Sequence, residues 1–154
     1  MATVTCELPW PPSANHAWRS VGGKVHRSEE YRLYKKAVGD AVLEQRVRRH
    51  WSNERLAVGL VCHAPNRQII DIDNRVKTVL DSLSAAGVIL DDKFVDLIVI
   101  ARGEIRAPDG CVLVHIEEMS EPSDRMALLR TWFAGANAEL GSAALSAHPR
   151  SPHG

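Results

Sequence analysis

Residues 67–92 read RQIIDIDNRVKTVLDSLSAAGVILDD, and this stretch organises the expected fold. It begins at the end of an apolar run, continues as a helix, and turns at a glycine into an acidic corner. The helix after Asp73 has one apolar face that should pack on a sheet, formed by Val76, Val79, Leu80, Leu83 and Ala86. Gly87 suits the position that follows a helix C-terminus.

The same stretch is unusually rich in carboxylates, which repel one another unless a cation lies between them. Its aspartates are Asp71, Asp73, Asp81, Asp91 and Asp92. Hard cations such as Mg²⁺ prefer oxygen ligands. In an extended segment Asp71 and Asp73 would point to one side while Ile72 points to the core. We expect the chain to bring one aspartate of the corner, Asp91 or Asp92, back to this pair as a metal site.

Lys77 adds a positive charge to this stretch. It follows Asp73 by four residues and precedes Asp81 by four, so all three share one side of the helix. Carboxylates holding one or two Mg²⁺ ions can orient a phosphodiester and activate water, and a lysine can offset the developing negative charge. A simpler interpretation stays open: Asp73 is a helix cap, and Asp91 and Asp92 form a turn.

Length and composition favour one soluble domain. The chain has 154 residues, of which 45% are hydrophobic and 25% are charged. No apolar run approaches the roughly 18 residues of a membrane span. The beginning, MATVTCELPW, does not resemble a signal peptide. The cysteines are far apart and predict reduced core residues of a cytoplasmic protein: Cys6, Cys62 and Cys111.

Charge is unevenly distributed, although the formal net charge is zero. Residues 13–50 contain nine Lys/Arg and four Asp/Glu, whereas residues 66–121 contain six and eleven. A basic surface beside an acidic metal site is what a nuclease requires. The glycine-containing loop 19–27, RSVGGKVHR, is a candidate phosphate contact, and an ordinary solvated turn is the alternative. It lacks the phosphate-cradling nucleotide motif, so we expect no nucleotide cofactor.

The pattern predicts an α/β (α+β) domain over residues 1–121 with the order β-α-β-α-β-β. The expected strands are 2–8, 56–64, 94–105 and 111–119, the last two forming an antiparallel hairpin around the turn APDG. They should form one mixed sheet with both helices on one face. The first helix should start at Ser28 and run to about residue 48, with an apolar stripe of Leu33, Ala37, Val38, Ala41 and Val42. Residues 122–140 could form a short amphipathic helix, and we expect 141–154 to be disordered.

The chain resembles the RusA family of Holliday-junction resolvases over about residues 3–120. The matching residues are LPWPPSAN at 8–15, then Asp71-x-Asp73-Asn74-x-x-Lys77-x-x-x-Asp81-x-Leu83, then Gly87 and Leu90-Asp91-Asp92. The family pattern is rich in arginine just before the first aspartate, whereas here only Arg67 stands there.

The resemblance implies a homodimeric, Mg²⁺-dependent endonuclease that resolves four-way DNA junctions, with Mn²⁺ as a substitute. It implies three catalytic, metal-binding carboxylates, Asp71, Asp73 and Asp92, with Asp91 as a possible further ligand. It also implies that Lys77 is catalytic. We expect the DNA contacts to be Arg19, Lys24, Arg27, Arg67, Arg75 and Lys77.

Two other functions remain open at this point. A catalytically idle junction-binding protein would keep the fold without cutting DNA. A small-molecule phosphatase would use Asp71 as a covalent nucleophile, as enzymes of the haloacid-dehalogenase type do with the first residue of an Asp-x-Asp pair.

Overall fold

The computed structural model describes residues 2–16, 18–22, 24–47, 51, 54–121, 124–132 and 134. The chain divides into two compact units, Met1–Ser120 and Glu121–Gly154. In the second unit residues 124–132 form a helix, whereas the predicted disordered tail 141–154 lies outside the described residues. None of the helices described is long and apolar enough to cross a membrane.

Within the described residues of the first unit there are six strands and two α-helices. In chain order they are β1 (Thr3–Pro9), β2 (Trp18–Val21), β3 (Lys24–Arg27), α1 (Glu29–Glu44), β4 (Arg55–His63), α2 (Asp73–Ala85), β5 (Val95–Arg102) and β6 (Cys111–Met119). The mixed α+β class and the four-stranded main sheet are confirmed. The glycine-containing loop itself forms a second, two-stranded sheet, in which β2 and β3 pair as a hairpin. Gly22, which follows β2, is in the left-handed region at φ 58°.

The main sheet has the order β1-β6-β4-β5. β6 pairs antiparallel with both β1 and β4, while β5 pairs parallel with β4 at the edge. The predicted hairpin of the last two strands is therefore wrong. The segment after β5 crosses the end of β4 instead, held by backbone bonds from Gly103 N to Cys62 O and from Arg106 N to Ala64 O. β6 can lie centrally because its alternate residues are buried, among them Val112, Val114 and Ile116.

Both helices cover the same face of the sheet, as predicted. Alternate residues of the strands form one buried cluster with residues of α1 and α2: Val4, Cys6 and Leu8 of β1, Val58 and Leu60 of β4, Val114 and Ile116 of β6, Val38 and Val42 of α1, and Val79 and Leu83 of α2. Cys6, Cys62 and Cys111 are buried and free, which confirms that they are unpaired core residues. One continuous core therefore fixes α2 against the sheet.

The first helix begins as predicted and ends earlier. Ser28 is the N-cap, and its side chain accepts a hydrogen bond from Tyr31 N at 3.3 Å. The helix ends at Glu44 because Arg46 adopts a positive φ of 54°. The predicted apolar stripe is wrong in part, since Leu33 is 59% exposed. The buried face is instead formed by Tyr31, Tyr34, Val38 and Val42.

The second helix matches its expected face and its expected end. Val79 and Leu83 are fully buried, and Leu80 is buried beside them. The last cap residue is Ala86, and Gly87 follows it with a φ of 73°, a conformation that L-residues rarely adopt. The helix therefore has a fixed rotation about its axis, which decides where its outer residues point.

Candidate functional site

The first two aspartates lie at the N-terminal end of α2. Ile72 has helical dihedral angles (φ −74°, ψ −29°) and packs against the core, and Asp73 is the first helical residue. The predicted extended geometry of Asp71–Asp73 is therefore wrong, because the bend into the helix already begins at Ile72. The simpler interpretation of Asp73 as the helix cap is also wrong. The N-cap residue is Ile72, whose side chain makes no capping hydrogen bond. The positive helix end favours a carboxylate at Asp73.

Both carboxylates are available to a ligand. Asp71 and Asp73 are exposed, and neither side-chain carboxylate takes part in a hydrogen bond or ion pair with another described residue. Just before them, the guanidinium of Arg102, the last residue of β5, donates to Ile70 O at 2.8 Å. The backbone that leads into the aspartate pair is thus tied to the sheet.

Arg75 ties the same helix end to the proline-rich segment after β1. Its Nη1 donates to Pro11 O at 2.6 Å, and its guanidinium lies 5.5 Å from the ring centroid of Trp10. Burial lowers the pKa of this guanidinium, and its Nε is buried without a partner among the described residues. Arg75 was predicted to contact DNA; in the structure its Nη1 is bonded to the protein itself, at Pro11 O.

Lys77 stands between two carboxylates. Its Nζ lies 3.2 Å from Asp81 Oδ1 and 3.7 Å from Asp92 Oδ2. The hydrogen bond to Asp81, followed by the charges of Asp81 and Asp92, raises the pKa of Lys77. The predicted partnership of Lys77 and Asp81 on one helix side is thus present. The turn after α2 brings Asp92 to the same ammonium group.

The two aspartates of the corner have different surroundings. Asp91 caps the short 3-10 helix Asp92–Phe94, and its Oδ1 accepts from Lys93 N at 3.0 Å. That backbone bond is the main reason why the pKa of Asp91 is lowered. Asp91 thus has the turn role that the simpler interpretation gave it. Asp92 is exposed and faces Lys77, so only one of the pair points to the lysine.

An open cavity of about 530 Å³ lies beside the lysine. Its lining includes Lys35, Lys77, Asp81, Ser84, Ala85, Leu90, Asp91 and Asp92. Lysines from α1 and α2 therefore face the acidic corner across this cavity. Such an arrangement offers both a phosphate-binding charge and carboxylate oxygens within one groove.

The three predicted metal ligands are not gathered around one point. In the described part of the chain, no three His, Cys, Asp or Glu side chains are grouped closely enough to hold a metal ion. Asp71 and Asp73 lie at the start of α2, while Asp92 meets Lys77 one turn further along. The donor chemistry nevertheless fits Mg²⁺, which is commonly held by one or two carboxylates together with waters and substrate phosphates. The exposed, unpartnered side chains of Asp71 and Asp73 could supply the one or two carboxylates.

The predicted DNA contacts fall in several places. Arg67 is exposed in the segment between β4 and α2. Arg19 lies on β2, while Lys24 and Arg27 lie on β3, so the hairpin groups their backbone positions. The positions of these three side chains lie outside the described structure.

Sequence reasoning missed Tyr31 and Arg102. The hydroxyl of Tyr31 donates to Asp81 Oδ2 at 2.6 Å, although the two residues are 50 positions apart. The spacing of Tyr31 and Tyr34 with Val38 could have shown a buried helix face, but not this partner. Arg102 ends an apolar strand, and nothing in that pattern indicates its bond to Ile70.

Comparison with known proteins assigns the family. A sequence model described as Endodeoxyribonuclease RusA matches residues 9–117, which include all of these site residues. The chain belongs to the RusA family. Phage HK97 has a relative named crossover junction endodeoxyribonuclease rusA, which is 33% identical over 112 residues, 73% of this chain and 92% of that protein. A RusA of the same description from Escherichia coli K12 is 36% identical over 100 residues, 60% of this chain and 76% of that protein.

Membership of the RusA family confirms the resemblance predicted from the sequence, and it makes the chain one of a family of endodeoxyribonucleases. The matched region ends before the second unit, at residue 117. The functional residues described above therefore all belong to the first unit.

Proposed function

We propose that this chain is a Mg²⁺-dependent endodeoxyribonuclease that resolves four-way (Holliday) DNA junctions by paired nicks, in DNA recombination and repair. The observation on which this rests is the exposed, unpartnered pair Asp71 and Asp73, one helical turn from the Lys77–Asp92 contact, inside the region that matches the RusA family. The relatives' name, crossover junction endodeoxyribonuclease, supports junction DNA as the substrate.

The residues would divide the work as follows. Asp71 and Asp73 would hold Mg²⁺, with Mn²⁺ as a substitute, and Asp92, which lies apart from them beside Lys77, is the third proposed ligand. The bound cation would supply Lewis acidity and an activated water. Lys77 would place a positive charge next to the reacting phosphate, where the transition state accumulates negative charge. Asp91, whose Oδ1 is occupied by the cap, is a further candidate ligand.

DNA would be held by the basic residues around this site. The candidates are Arg19, Lys24 and Arg27 of the β2–β3 hairpin, together with Arg67, Arg75 and Lys77. A four-way junction has two-fold symmetry, so a C₂ homodimer would present two matching sites to it. We place this activity in the cytoplasm, where three reduced thiols are stable.

The test compares a synthetic four-way junction, a duplex and a flap, each with and without Mg²⁺. We expect symmetric nicks on the junction alone and only with the cation. Asp71→Asn and Asp73→Asn should abolish nicking while junction binding persists. Asp109→Asn, in the exposed turn before β6, is the matched control and should cut normally.

Three outcomes would count against the proposal. Normal cutting by either site variant would refute the carboxylate assignment. Junction binding without cleavage in Mg²⁺ or Mn²⁺ would indicate an idle binding protein. Turnover of p-nitrophenyl phosphate without any DNA cleavage would indicate a phosphatase.

A further inference from the structure

Asp81 is held from two sides. Its Oδ2 accepts a hydrogen bond from the Tyr31 hydroxyl at 2.6 Å, and its Oδ1 lies 3.2 Å from Lys77 Nζ. Tyr31 is only 4% exposed, whereas the Lys77 side chain is 66% exposed. A rigid buried donor and a flexible exposed ammonium therefore share one carboxylate.

This arrangement restricts a side chain that would otherwise move freely. Lysine has a long flexible stem, and an exposed ion pair alone orders it weakly. The Tyr31 hydroxyl fixes the orientation of the Asp81 carboxylate, because the phenol ring is buried on α1. A fixed carboxylate in turn directs the Lys77 ammonium, which then lies 3.7 Å from Asp92 Oδ2.

We propose that Tyr31 and Asp81 are positioning residues of the nuclease site: the Tyr31 hydroxyl orients Asp81, and Asp81 aims Lys77 at the corner aspartate Asp92. This inference rests on the proposed function of the site. It assigns Tyr31 and Asp81 no contact with the DNA or with a metal ion. Their effect reaches the reacting phosphate only through Lys77.

The chain contains a matched control for each residue. Lys36 and Asp40 on α1 form a pair with the same i,i+4 spacing, at 2.8 Å, and both are well exposed. Tyr34 lies on α1 one turn after Tyr31, and its buried hydroxyl has no partner among the described residues. Asp40→Asn and Tyr34→Phe therefore remove comparable groups that do not reach Lys77.

The experiment measures single-turnover nicking of the four-way junction together with the junction Kd. Tyr31→Phe and Asp81→Ala should each lower the nicking rate, by roughly 10- to 100-fold as is typical for groups that orient catalytic side chains, and leave Kd within about twofold. Tyr34→Phe and Asp40→Asn should cut at the wild-type rate. In a Lys77→Met background, Asp81→Ala should cause no further loss, because its effect passes through the lysine.

A second readout needs neither metal nor DNA. The side-chain ¹⁵N resonance of Lys77, assigned by its loss in Lys77→Met, should move to the position of a free lysine in both Tyr31→Phe and Asp81→Ala. No movement would refute the positioning role, as would an unchanged nicking rate or equal losses with and without Lys77. Absence of nicking by the unsubstituted protein would instead refute the proposed function, and the resonance would still decide whether Tyr31 orients Lys77.

Discussion

Replacing Arg75 by methionine tests whether α2 is locked to the proline-rich segment after β1. Methionine keeps much of the aliphatic stem but cannot donate to Pro11 O or lie as a cation over Trp10. The two contacts join Arg75 to residues 64 and 65 positions away in the sequence, so their loss should lower the free energy of global unfolding.

The magnitude follows from three contributions. A hydrogen bond with a charged donor contributes about 1.5–3 kcal/mol, and the cation–π contact about 0.5–1 kcal/mol. Against these, the substitution removes the buried Nε of Arg75, which has no partner among the described residues and costs about 1–2 kcal/mol. Taken at their midpoints, these contributions give a net loss of about 1–2 kcal/mol in the free energy of unfolding. For a chain of this size that corresponds to a fall in Tm of roughly 2–8 °C.

The assay is urea unfolding of wild type, Arg75→Met and Arg32→Met, followed by fluorescence and circular dichroism. Arg32 lies on the exposed side of α1 and is the control for loss of a surface guanidinium. A double-mutant cycle with Trp10→Leu should show coupling. Equal stability of Arg75→Met and Arg32→Met would refute the locking role, and a more stable Arg75→Met would mean that the buried nitrogen outweighs the contacts.

Three further predictions concern stability. Gly39→Ala should stabilise the protein by about 0.5–1 kcal/mol, because Gly39 lies inside α1 and an added Cβ meets nothing within 4 Å; a lower urea midpoint would contradict this. Gly110→Ala should destabilise it by about 1–3 kcal/mol, since φ is +69° and the Cβ would lie 2.7 Å from His63 O; a wild-type Tm would count against that strain. Burial raises the pKa of Cys6 from 9.0 to about 11, so the unfolded thiol ionises first and stability should fall between these pH values. Cys6→Ala should fall less steeply over the same range in pH-dependent unfolding, and parallel curves would contradict the assignment.

Local signals in the sequence predicted the helices well. Ser28 caps α1 through a bond to a backbone N–H three residues away, which a sequence pattern can show. The apolar face of α2 and the glycine after it depend on spacing alone, and both are present. The predicted apolar stripe of α1 was wrong in part. Apolar residues at helical spacing lie on neighbouring sides of this helix, and the spacing alone did not show that the side with Tyr31 and Tyr34 is the buried one.

Long-range pairing was not predictable in the same way. Strands that follow one another around a turn often pair, which favoured a hairpin of β5 and β6. The sheet instead places β6 between β1 and β4, where it has a partner on each side. The candidate site shows the same limit. The chemistry of Asp71, Asp73 and Lys77 was evident from the residue types. The Tyr31–Asp81 hydrogen bond and the separation of Asp92 from the Asp71–Asp73 pair depend instead on long-range packing.

The parallel crossover also fixes the number of residues in α2. Since β4 and β5 are hydrogen bonded side by side in one direction, both ends of the intervening segment are fixed to the sheet. One residue inserted between Lys77 and Asp81 would rotate every later helical position by about 100°, which would part the ammonium from its carboxylate and turn Leu83 out of the core. Residues 73–85 should therefore vary in composition among relatives while keeping their number.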